Sequence, residues 1–206
     1  MRMKILLDNE TEQELLYRSN YLGVSLSSIV LLHLVLYQRY PDLSREDFKR
    51  ISTDKCRSLQ IDVKDEVIKK FDSRPRYDNS ISMLLSVFIL KITKETKDAW
   101  KDIKHEEKFK MAFSTYSIAK EVIDEMKDVK QKTGLTFTTI INYAALMDVD
   151  AINQLSLFSD SNEKKQQGFQ LSEKAIEKIQ GQALSQDISV GNLLEIKLEK
   201  ALKRLA

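Results

Sequence analysis

Side chains that are mostly polar, charged or small recur at alternate positions in four short runs of the chain. They are Arg2, Lys4 and Leu6; Ser58 and Gln60; Lys108, Lys110 and Ala112; and Gly168 and Gln170. Guanidinium and ammonium groups donate hydrogen bonds, whereas carboxamides both donate and accept, so these rows suit a partner that displays both kinds of group. A second set, Ser25, Asn79, Thr136 and Ser189, consists of residue types whose side-chain oxygens cap helix N-termini. Nothing resembling a catalytic centre accompanies either set. There is no Gly-rich phosphate loop, Walker pattern or hydrolase elbow. His33 lies in an apolar run and His105 in a charged one, without cysteine or carboxylate partners at metal-ligand spacing, so both read as structural. Cys56 has no evident base, and Trp100 reads as packing. The expectation is no enzyme, no metal and no cofactor.

Each polar row is interleaved with apolar residues at the period of a β-strand: Met3, Ile5 and Leu7; Leu59 and Ile61; Phe109, Met111 and Phe113; Phe169 and Leu171. The spacing from the last of these to the polar opener of a later helix recurs. Leu7 to Ser25, Ile61 to Asn79 and Leu171 to Ser189 are each 18 positions, and Phe113 to Thr136 is 23. The openers follow one another at intervals of 54, 57 and 53. The chain therefore reads as four strand-helix-helix units, over residues 1–40, 55–92, 108–147 and 166–206. In the first, Asp8, Asn9 and Thr11 can cap a helix burying Leu15, Leu16 and Leu22; Gly23 can turn, and Ser25 opens a helix with Ile29, Val30, Leu32 and Leu36 inward. In the second, Asp62 is the predicted cap of a helix with Val63, Val67 and Phe71 on one face, closed by Pro75. Its second helix is predicted over Ser80 to Lys91. The third has Ile118, Val122, Met126 and Val129 on one helical face, and its extra length is either a longer first helix or a strand that ends near Tyr116. In the fourth, Ser172 caps a helix with Ile176 and Ile179, before a last helix around Leu193, Leu194 and Ile196. Charged stretches from Pro41 to Asp54, Thr93 to Glu107 and Asp148 to Lys165 connect the units. Ser44 to Asp47 and Lys94 to Ile103 read as partly helical, and Ser159 to Lys165 as flexible.

Bulk properties agree with a mainly helical protein. Of 206 residues, 42% are hydrophobic, while only 5 Gly and 2 Pro are present, too few for a turn-rich β-sandwich or barrel. The apolar runs fall short of the roughly 20 residues of a membrane span, and Met1 to Leu7 is too short for a secretory signal. A single cysteine is compatible with a reducing cytoplasm. With 33 basic and 31 acidic residues, a nucleic-acid surface would have to be a local patch on a mixed exterior.

A lone strand with two helices leaves backbone groups and an apolar face uncovered, and pairing two strands into a ribbon resolves both. In this the chain resembles the ribbon-helix-helix superfamily of methionine-repressor and Arc type. The resemblance rests on the strands ending at Leu7, Ile61, Phe113 and Leu171, and on the turn and cap pairs Gly23/Ser25, Tyr77/Asn79, Gly134/Thr136 and Asp187/Ser189. It implies four tandem ribbon-helix-helix units. Units one with two and three with four would form two antiparallel ribbons as internal pseudo-dimers, or each unit would pair with its counterpart in a homodimer. It further implies that the ribbon enters the major groove of double-stranded DNA, where Arg2, Lys4, Leu6, Ser58, Gln60, Lys108, Lys110, Ala112, Gly168 and Gln170 face base edges. Arginine and lysine suit guanine, glutamine suits adenine, and Leu6 or Ala112 suits a thymine methyl. The backbone at Ser25 and Leu26, Asn79 and Ser80, Thr136 and Phe137, and Ser189 and Val190 would hold phosphates, since a helix N-terminus presents N–H groups to an anion. The roles implied are transcriptional repressor, plasmid-partition factor or accessory protein of a conjugative relaxosome, with a relaxase or other plasmid protein as a further partner. The competing expectation is an antitoxin-like or scaffold module whose ribbons no longer read DNA, favoured by the near-neutral charge and the modest second and fourth strands.

Overall fold

The computed structural model describes residues 1–40, 42–51, 55–100, 108–147 and 163–206. The chain divides into two compact units. One comprises Met1–Asn20, Ser25–Glu107 and Lys132–Gly134; the other comprises Tyr21–Val24, Lys108–Gln131 and Leu135–Ala206. Each holds one two-stranded antiparallel sheet, and helices supply most of the rest.

The first unit is built from β1 (Arg2–Leu7), α1 (Asn9–Leu22), α2 (Leu26–Leu36), α3 (Arg45–Lys49), β2 (Arg57–Asp62), α4 (Asp65–Lys69) and α5 (Ile81–Glu95), followed by a 3-10 turn at Asp98–Trp100. The β1–β2 register sets Met3 opposite Ile61 and Ile5 opposite Leu59, so one face of the ribbon is apolar and closes onto the helices. Met3, Ile5, Leu7 and Ile61 are buried with Leu32, Leu34, Leu84 and Leu85, and Phe71 meets Phe88 edge-on at 4.9 Å. The α5 helix is pinned to β1 by one shared hydroxyl. Ser86 Oγ accepts from the Leu6 N–H at 2.9 Å and donates to the Ser82 carbonyl at 2.7 Å.

The second unit contains β3 (Met111–Ala119), α6 (Lys120–Thr133), α7 (Phe137–Leu146), β4 (Lys164–Ser172), α8 (Glu173–Ser185) and α9 (Val190–Leu205). Here too helices reach a strand's backbone through polar side chains, in this unit from α7 and α9. Asn142 of α7 donates from Nδ2 to the Gln170 carbonyl at 3.0 Å and accepts at Oδ1 from the Ser172 N–H at 2.8 Å. Glu195 of α9 accepts from the Ala119 N–H at 2.8 Å. Lys197 is fully buried, its ammonium donating to the Ala145 and Met147 carbonyls, both at 2.7 Å. A cation at the C-terminus of α7 satisfies carbonyls that have no helical partner and complements the helix dipole.

The expectation of four tandem ribbon-helix-helix units is overturned, because the elements between strand and opener are not copies. The helices following β1, β3 and β4 have 14, 14 and 13 residues, whereas α4, following β2, has five. Asp62 is consumed by the ribbon, where it stands opposite Arg2, so Lys64 takes the N-cap position and offers no side-chain acceptor. Val63, Val67 and Phe71 are all buried, but the chain beyond α4 winds on through tight turns, with Phe71 N–H bonded to Ile68 O and Arg74 N–H to Phe71 O. The first helix of that segment therefore ends at Lys69, well before Pro75. In the first unit α3 is additional, capped at Ser44 in a capping box with Asp47.

The third strand corrects the register. It runs from Met111 to Ala119, with Ile118 fully buried at its end, and Ile118 to Thr136 is 18 positions. The interval of 23 came from counting from Phe113. The fourth strand starts at Lys164, so the flexible reading of Ser159 to Lys165 does not hold for its last residues. Residues 159–162, His105 and Ile103 lie outside the described residues, and of the stretch from Lys94 to Ile103 the structure shows the end of α5 and the turn at Asp98–Trp100.

Candidate nucleic-acid interface

The turn before each of α2, α5, α7 and α9 passes through a left-handed residue two positions before the predicted opener. These are Gly23 (φ 67°), Tyr77 (φ 49°), Gly134 (φ 82°) and Asp187 (φ 54°). Asp78 is left-handed as well (φ 67°), and this second residue displaces the cap of α5 by one, from Asn79 to Ser80. Asn79 instead braces the turn, its Nδ2 donating to the Arg76 and Tyr77 carbonyls at 3.0 Å each. Ser25, Ser80, Thr136 and Ser189 each accept from the N–H three residues on, at 3.1–3.2 Å. The N–H groups of the first helical turn that remain have no carbonyl behind them in the helix.

Charge separates these four helices from the others. No acidic residue stands in the first turn of α2, α5, α7 or α9. By contrast α1, α3, α4, α6 and α8 all carry one or two there. A first-turn carboxylate neutralises the positive end of the helix dipole, so its absence leaves that end able to attract an anion. Lys130 adds a cation 5.1 Å from the ring of Phe137, the first residue of α7.

On the face of β1–β2 turned away from the core, Arg2 stands opposite Asp62, Lys4 opposite Gln60 and Leu6 opposite Ser58. Arg2, Lys4, Ser58, Gln60 and Asp62 are exposed and Leu6 is half-buried. The structure thus brings the first two predicted rows together. Asp62, read from the sequence as a cap, joins them.

The β3–β4 face differs from the predicted one. Lys108 and Lys110 are exposed but precede the strand, and Ala112 lies on the inward row with Ser114, Tyr116 and Ile118, opposite the buried Leu171. The outward row is Met111, Phe113, Thr115 and Ser117, facing Ser172, Gln170, Gly168 and Gln166. Because side chains alternate faces with a period of two, a misplacement by one residue exchanges the entire row. Gln170 and Gly168 are on the outward face as predicted; Phe113, Thr115, Ser117, Gln166 and Lys164 are the residues the sequence reading missed. The spacing of 18, counted backward from Thr136, is the signal that would have found Phe113, Thr115 and Ser117.

Away from the ribbons, a cleft of about 450 Å³ in the first unit is lined by Asp8, Asp47, Cys56, Lys91 and Lys94 among others. Its charges are largely mutual: Lys91 Nζ is 3.0 Å from Asp47, and Lys94 Nζ is 3.9 Å from Asp8. Burial, with the Asp8 carboxylate nearby, pushes the Cys56 thiol up, away from the thiolate a nucleophile needs. Among the described residues no three His, Cys, Asp or Glu side chains gather as a metal site, and no single helix is long and apolar enough to cross a membrane. Comparison with protein-family models, with curated proteins and with solved structures found no match.

Proposed function

We propose that this chain binds double-stranded DNA by laying the exposed faces of its two β-ribbons in the major groove, as ribbon-helix-helix proteins do. The observation that carries the reading is the β1–β2 register, which sets Lys4 beside Gln60 and Arg2 and Ser58 close by on one solvent face. A two-stranded ribbon fits the major groove, and these side chains supply donors for guanine and a paired donor and acceptor for adenine. The helix N-termini without a carboxylate in the first turn support it as phosphate contacts, most clearly at α2 and α7, since Asp78 and Asp187 precede the caps of α5 and α9. The protein acts in this reading without catalysis, as a transcriptional repressor or as an accessory factor of plasmid partition or relaxosome assembly.

The test is selection of bound duplexes from a random-sequence library by the full chain, followed by affinity measurements across salt. An enriched sequence and a steep decline of affinity with salt are expected. Lys4→Ala should weaken binding to the enriched duplex by about 1–3 kcal/mol while leaving the unfolding midpoint unchanged. Undiminished binding by this variant would remove ribbon one from the interface. One observation favours a second reading, a protein-interaction module: Asp62 places a carboxylate on the reading face, where it opposes phosphate approach. That reading predicts no enrichment at any salt concentration.

A further inference from the structure

Phe113 is 71% exposed in the outward row of β3, between Met111 and Thr115. Gln170 stands directly opposite it, and Thr115 and Gly168 form the next pair on the same face. The ring is held in place from below. It lies diagonally across Gly168, so close that a Cβ added at that glycine would collide with it. The diagonal neighbour is within reach of an aromatic side chain on a twisted ribbon, and here the missing side chain makes the seat. An aromatic ring left on a solvent face gains little by folding, so its apolar surface stays available to a partner that covers it.

The chemistry around the ring says what that partner offers. Gln170, Gln166, Thr115 and Ser117 supply donors and acceptors, while the ribbon has no arginine and Lys164 at its end is held by Asn192 at 3.0 Å and lies 3.7 Å from Glu195. In the major groove, adenine matches a carboxamide through N6 and N7, and the thymine of the same pair presents an apolar methyl. We propose that the β3–β4 ribbon reads A·T pairs, with Phe113, seated on Gly168, covering a thymine methyl and Gln170 meeting an adenine. The β1–β2 ribbon, with Arg2 and Lys4, reads a different and more G-rich sequence. This rests on the DNA-binding reading above and names what the second ribbon recognises.

The test uses duplexes selected by the full-length protein and then resynthesised with deoxyuridine in place of thymine, which removes only the methyl. Wild type should bind the deoxyuridine duplex about fourfold more weakly for each covered methyl, the loss expected for one buried carbon. Phe113→Ala should bind the thymine duplex roughly tenfold more weakly and be indifferent to the replacement. Its circular dichroism and unfolding midpoint should match wild type, since the ring contributes nothing to the core. Wild-type affinity that ignores the thymine methyl, or a Phe113→Ala variant that still senses it, overturns the assignment while DNA binding stands. Full DNA affinity in Phe113→Ala overturns it too, and gives the ring to a protein partner. Failure of the selection to enrich any duplex overturns both readings together.

Discussion

Arg18 has no solvent exposure, yet it is the hub of a polar cluster inside the first unit. Its guanidinium donates to Glu14, to the Thr93 carbonyl at 2.8 Å and to Thr96 Oγ1 at 2.9 Å, and lies 5.2 Å from the centre of the Trp100 ring. Its Nη1 is 2.6 Å from His33 Nε2, and His33 Nδ1 is 2.9 Å from the Ile29 carbonyl. Arg18 can only donate, so Nε2 must accept and Nδ1 must carry the proton, which makes the imidazole neutral. Burial first, and then the Arg18 charge, push His33 down to about 3. The unfolded chain takes up this proton near pH 6.5, so between the two values it binds more protons than the folded chain and stability falls as pH is lowered. Urea unfolding across that range should show a loss of up to about 1.4 kcal/mol per pH unit from this group. His33→Gln, which keeps an acceptor for Arg18, should be less stable at neutral pH but lack that part of the slope. An unchanged slope would show that the titration belongs to carboxylates alone. The sequence placed His33 in an apolar helix without indicating its partner, because Arg18 and His33 meet only when α1 and α2 pack.

At the scale of elements, the four left-handed turns give the clearest test of what local sequence controls. Gly23 and Gly134 adopt positive φ without strain, whereas Asp187 does so with a side chain that tolerates it at some cost. Asp187→Gly should therefore raise stability by about 0.5–1 kcal/mol, and Gly134→Ala should lower it by about 1 kcal/mol or more. Both are read from thermal or urea midpoints. Asn142→Ala should cost more, about 2–4 kcal/mol, because it strips partners from the Gln170 carbonyl and the buried Ser172 N–H. Caps and turns were legible because their chemistry is local: Ser25, Thr136, Ser172 and Ser189 cap as their residue types suggest. The first two strands were legible for a related reason, since Met3 and Ile5 alternate with Arg2 and Lys4, and Leu59 and Ile61 with Ser58 and Gln60. The third strand misled because its inward row, Ala112, Ser114, Tyr116 and Ile118, opens on two small residues while Met111 and Phe113 stand in the outward row. The alternation of Phe109, Met111 and Phe113 with lysines imitates a strand in the wrong register. Phe113 is tolerated outside because Gly168, 55 positions away, makes a seat for it, and only the pairing of β3 with β4 reveals that. The length of α4 was hidden for a similar reason, as Asp62 was claimed by a strand partner that no local pattern displays.

For the whole molecule, the consequence of two ribbons within one chain is linkage. Each ribbon forms from two strands of the same chain, β1 with β2 and β3 with β4, so no second copy is needed to complete either one. Light scattering at low concentration should then give the mass of one chain, 23.9 kDa, and a stable dimer would show that some other surface associates. The ribbons also differ in what they display, with Arg2, Lys4 and Asp62 on one and Phe113, Gln166 and Gln170 on the other. If the ribbons bind DNA as proposed, docking of one lets the second bind from an effective concentration set by the chain, so the pair should exceed either alone by about 10²–10⁴-fold where the DNA lets both engage. Footprinting on the selected duplex should therefore show two protected stretches of unlike sequence. Lys4→Ala with Gln60→Ala should release one stretch and leave the other protected at higher protein concentration, and Phe113→Ala with Gln170→Ala should release the opposite one. Simultaneous loss of both stretches from either double variant would mean that the ribbons act as one surface. Loss of neither would place the contact elsewhere on the molecule.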